Sequence, residues 1–118
     1  MRYFSAILLA VLGVFINISF AAECYYQSHA YNCLSRDALM RAIEDYCDDK
    51  WNDDCHEFKK YDEYRNKGYI GSIGEFPSKQ ACISAAQNIV NECYGVKNGG
   101  SWTYNDASIN ISFCPWAR

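Results

Sequence analysis

The chain has 118 residues, half of them apolar and 16% aromatic, with seven cysteines and a formal net charge of −3. This length holds one domain and excludes multidomain enzymes, and so small a core is hard to stabilise without cross-links. Seven cysteines point to disulfides of an oxidising compartment with one thiol left over, and the lack of a basic excess argues against nucleic-acid binding.

Arg2 is the only charge before an apolar run from Ala6 to Ile16, and Ser19-Phe20-Ala21 places small residues where a signal peptidase reads. This layout predicts a secretory signal peptide over residues 1–21, cleaved after Ala21. The apolar run is well short of the roughly 20 residues that span a bilayer. Residues 22–118 form a single acidic, cysteine-rich domain that keeps Cys24, Cys33, Cys47, Cys55, Cys82, Cys93 and Cys114.

Tyr25-Tyr26 is a short strand candidate. Ser35 then caps a helix running from Arg36 to about Asp48, with Leu39, Ala42, Ile43, Tyr46 and Cys47 on its inner face. The acidic and aromatic stretch from Asp48 to Lys67 has no clear period. Gly68 to Ile73 reads as a strand. Ser78 caps a second helix from Lys79 to about Tyr94, whose inner face is Cys82, Ala85, Ala86, Ile89, Val90 and Cys93, and Gly95 is placed to stop it. Ser101 to Tyr104, the turn Asn105-Asp106, and Ser108 to Cys114 read as a hairpin, with Ile109, Ile111 and Phe113 on the buried face. Two helices and several antiparallel strands in this order predict an α+β layer with both helices on one sheet face.

The segments Cys24 to Cys33, Ala38-Leu-Met-Arg-Ala-Ile-Glu-Asp-Tyr-Cys47, Gln80-Ala-Cys82 through Asn-Ile-Val-Asn-Glu-Cys93, and Gly-Gly-Ser-Trp-Thr-Tyr with the closing strand to Cys114 together resemble the virally encoded killer toxin of smut fungi. That family, killer protein four, has cellular fungal relatives. The resemblance implies a small disulfide-stabilised αβ-sandwich, two antiparallel helices packed on an antiparallel sheet. It also implies Cys24–Cys93 and Cys47–Cys82 as disulfides. Helix geometry supports the second, because antiparallel neighbours bring the end of one inner face to the start of the other. Cys55 and Cys114 can then pair, leaving Cys33 single and open to a disulfide-linked dimer, although sequence alone does not fix the connectivity. In the toxin, basic residues between helix-linking cysteines matter for action on calcium channels. The corresponding stretch here, from Cys55 to Tyr64, has Lys59 and Lys60 as its cations, so the loop holding them is the candidate target contact.

Other chemistry is thinly represented. A secreted ribonuclease would need an acid–base pair and a phosphate-binding cation, and the two histidines, His29 and His56, read as surface residues. No Cys-x-x-Cys or paired-histidine spacing suggests zinc, and no cofactor is expected. The acidic residues Glu44, Asp45, Asp48, Asp49, Asp53, Asp54 and Glu57 read as a solvated face without a calcium-loop spacing. Aromatics from Trp51 to Tyr69 lie among charges and offer a recognition surface or half-buried packing. Asn110-Ile-Ser112 is a glycosylation sequon on the polar face of its strand. The expectation is a secreted, extracellular protein of fungal type that binds a target-cell surface protein, with a calcium channel as one target, and is not an enzyme. The alternatives are an apoplastic effector binding a host receptor or glycan, and the small ribonuclease.

Overall fold

A computed structural model describes residues 22–26, 30–54 and 57–115. The proposed signal peptide, His29, Cys55, His56 and Trp116 lie outside the described residues. In chain order the elements are β1 (Glu23–Tyr25), α1 (Arg36–Lys50), β2 (Lys59–Glu63), β3 (Asn66–Ile73), α2 (Lys79–Cys93), β4 (Gly99–Tyr104) and β5 (Ala107–Ser112). The five strands form one antiparallel sheet in the order β1-β4-β5-β3-β2.

Both helices begin where their caps dictate. The Ser35 side chain accepts from the Ala38 amide and the Ser78 side chain from that of Ala81, each satisfying a donor the helix cannot. α2 ends at Tyr94, whose backbone is already extended, and Gly95 follows at φ +85° in the left-handed turn beyond it. Alternation on β5 turns Ala107, Ile109 and Ile111 toward the helices, where they meet Leu39, Ile43, Ala86, Ile89 and Val90 in one core. Inside that core the Tyr46 and Ser72 hydroxyls bond each other at 2.8 Å, so neither is buried unsatisfied.

The helices run antiparallel. The start of α1 meets the end of α2 where Arg36 donates to Asn91, and the Cys47–Cys82 disulfide joins the end of α1 to the start of α2. Cys24–Cys93 ties β1 to the end of α2. The third disulfide corrects the sequence expectation. Cys114 is bonded to Cys33, not to Cys55. The Leu34 amide donates to the Phe113 carbonyl at 2.8 Å, which lays the segment before α1 alongside the chain end and sets Cys33 beside Cys114. Cys33 is therefore not the odd thiol, and the dimer proposed through it has no thiol to form it; the three disulfides leave Cys55 over.

Lys59 and Lys60 also need correction. They lie on the edge strand β2, not in a loop, and alternation sends them to opposite faces. The turn that joins β2 to β3 holds Tyr64 at φ +61°.

Gly74, just beyond β3, sits at φ +80°, and a Cβ there would come 2.0 Å from the Asp106 carbonyl oxygen. Gly74→Ala meets both the left-handed penalty and a backbone clash, so a loss of at least about 2 kcal/mol is expected. Urea denaturation measures it; an unchanged midpoint would mean that the Asn105-Asp106 turn yields freely.

Candidate functional site

The edge strand β2 is fastened to α1 by charged and hydroxyl groups along its length. On the helix side, Lys59, Tyr61 and Glu63 recur at every second position. Asp45, on the exposed side of α1, accepts from Lys59 Nζ at 2.9 Å and from Tyr61 Oη at 2.8 Å, both through Oδ2. The Lys59 ammonium lies 5.2 Å from the Tyr61 ring centre, close enough for a cation–π contact. Further along, the Glu63 carboxylate accepts from the Ser35 amide and hydroxyl at 3.2 and 3.1 Å. That places a negative charge at the positive end of α1.

Between these two fastenings lies a cleft of about 380 Å³. Leu34, Ala38 and Ala42 give it an apolar floor, and Arg41, Asp45, Tyr61 and Glu63 give it a polar rim. Two other hollows are smaller. One of about 280 Å³ lies at the Cys33–Cys114 end against Tyr94, Val96 and Phe113, and one of about 120 Å³ lies on the opposite sheet face. The cleft falls within the roughly 300–1,000 Å³ usual for small-ligand sites, and it combines an apolar floor with convergent polar groups.

The rim is held in place before any ligand arrives. The hydrogen bond from Lys59, then that from Tyr61, keeps the Asp45 carboxyl below its ordinary pKa, and the same bond raises that of Lys59. Burial, reinforced by Asp45, pushes the Tyr61 hydroxyl up, so it stays a neutral donor. Asp45 is thus an ionised acceptor of fixed orientation, and neither of its bonds uses Oδ1. Asp62 faces the other way, paired with Lys67 at 2.6 Å.

The sequence singled out Lys59, and the structure places it at this site as a positioning group for Asp45. Lys60 is on the opposite face and takes no part. The sequence pattern puts Asp45 on a solvated acidic face and gives Arg41 and Glu63 no signal of their own. Their convergence depends on the β2–β3 hairpin folding back beside α1. Of the other acids, Asp48 pairs with Lys79, Asp53 with Lys50, and Asp54 accepts from the Gly74 amide.

Three disulfides and a two-layer α+β fold define a small domain of extracellular type. Residues 34–116, more than half of the chain, match the family model described as alpha-galactosyl binding lectin, and the chain belongs to that family. The matched span contains both walls of the cleft. No curated protein matches the chain.

Proposed function

We infer that this protein is an extracellular lectin that binds α-galactosyl glycans on a target surface, with the terminal sugar held in the cleft between α1 and β2. One observation carries the assignment of the site: a carboxylate, Asp45, is locked by Lys59 and Tyr61 at the mouth of a hollow of about 380 Å³, roomy enough for a sugar. Galactose carries an axial 4-hydroxyl, so one ring face is mainly C–H and the opposite side presents hydroxyls. The floor of Leu34, Ala38 and Ala42 suits the first, and the Asp45 carboxylate with the Arg41 guanidinium suits the second. Pre-ordering the acceptor lowers the entropy lost on binding.

The test is calorimetric titration with methyl α-D-galactopyranoside and methyl α-D-glucopyranoside. Binding of the first and much weaker binding of the second is the expected result. Equal affinity, or none for either, would refute the assignment.

The pH dependence follows from Asp45. Its pKa is lowered, so the charged acceptor persists at and above the ordinary carboxylate range and is lost only as pH falls through the depressed value. Affinity for the galactoside is expected to stay level from neutral pH down to about 4 and to fall below that. A decline centred near pH 6 in a fluorescence titration would point to another group.

A second reading, a killer-toxin-like action on a target cell, is supported by the sandwich of antiparallel helices on an antiparallel sheet and by Cys24–Cys93 with Cys47–Cys82. Growth inhibition relieved by added calcium would favour a channel as the target. Surface binding abolished by free galactoside would favour the lectin.

A further inference from the structure

The sheet face turned away from the helices has no second layer among the described residues, and the strand register fixes what lies on it. Glu23, Ser101, Asn110 and Gly71 form one row across four neighbouring strands, and Phe58 continues it beyond the start of β2. Asn110 is on β5, the central strand of the five, and is partly exposed. The Phe58 ring lies flat on Gly71, where a Cβ would come within 3.0 Å of it, yet the residue is 41% exposed. Asn110, Phe58, Gly71, Ser72 and Ile73 together line the shallow hollow of about 120 Å³.

We propose that Asn110 carries an N-linked glycan whose first sugars lie along this face against the Phe58 ring. In the modification, Asn110 Nδ2 bonds to the anomeric carbon of a lipid-pyrophosphate-linked oligosaccharide. The carbon–oxygen bond to the pyrophosphate breaks, the lipid pyrophosphate departs with that electron pair, and the amide nitrogen gives up one proton. The Asn-Ile-Ser sequon meets the requirement for a hydroxyl two residues on. In the folded protein, however, Ser112 is fully buried and its hydroxyl donates to the Cys114 carbonyl at 2.9 Å. Transfer therefore precedes folding of β5, in the oxidising compartment where the disulfides also form. After folding, Asn110 and Phe58 are two strand spacings apart, roughly 10 Å, a gap that the first sugars of the chain bridge. The C–H face of a sugar ring packs on an exposed aromatic face. The α1/β2 cleft opens on the helix side, so the glycan leaves it clear, and this inference does not depend on what the cleft binds.

The test uses the full 118-residue chain secreted from insect cells, with intact-mass and peptide mass spectrometry before and after peptide-N-glycosidase treatment. A fall in mass with the deamidation mark at position 110, absent from the Ser112→Ala variant, is expected. No change in mass overturns the proposal. Seating on Phe58 is read from thermal midpoints. The glycosylated form is expected to melt about 4 °C or more above the enzymatically deglycosylated form. That difference should vanish in Phe58→Ala and in Phe58→Leu, which keeps an apolar side chain over Gly71. Equal midpoints for the two forms of the unaltered protein would overturn the seating.

Discussion

Replacing Cys47 and Cys82 together by alanine is expected to lower the unfolding free energy by about 4 kcal/mol. The two residues are separated by 35 positions, and the bridge closes that loop in the unfolded chain, removing entropy that the folded chain does not need. Both side chains are fully buried between the helices, so losing the sulfurs also opens space in the core. Domains of this size have about 5–15 kcal/mol in total, and the variant is left close to the threshold. Urea unfolding without reductant measures the change. A loss under about 1 kcal/mol would mean that helix packing alone holds the two together, against the entropic account.

Asp45→Ala is expected to weaken galactoside binding by on the order of 10-fold or more, the usual effect of losing a hydrogen bond to a charged group. Stability should change little, because Asp45 is exposed and its pair with Lys59 is a surface ion pair. Tyr61→Phe removes one of the two bonds that orient the carboxylate and should cost less. Titration calorimetry beside far-ultraviolet circular dichroism separates binding from folding. Unchanged affinity in a folded Asp45→Ala variant would move the sugar site elsewhere.

Much of the fold was legible because helix periodicity and caps are local. Ser35 and Ser78 mark the helix starts, and the three- and four-residue spacing of Leu39 to Cys47 and Cys82 to Cys93 marks the buried faces. The closing strand declared itself through Ile109, Ile111 and Phe113. Strand β2 did not. As an edge strand it reads Lys-Lys-Tyr-Asp-Glu, polar on both faces, because one face bonds to α1 and the other faces solvent. Without β2 the cleft was invisible, since Asp45, Arg41 and Glu63 gain their meaning only from the hairpin beside α1. The Cys33–Cys114 pairing was equally hidden. It follows from a backbone hydrogen bond between Leu34 and Phe113, 79 positions apart in the numbering, and no local pattern encodes it.

The most direct measurement is a two-dimensional amide NMR titration of the labelled protein with methyl α-D-galactopyranoside. Saturable shifts grouped at Ala38 to Asp45 and at Tyr61 to Glu63 are the expected result. Shifts confined to Tyr94–Asn98 at the Cys33–Cys114 end, or to Ser101 and Asn110 on the open sheet face, would contradict the assignment of the cleft.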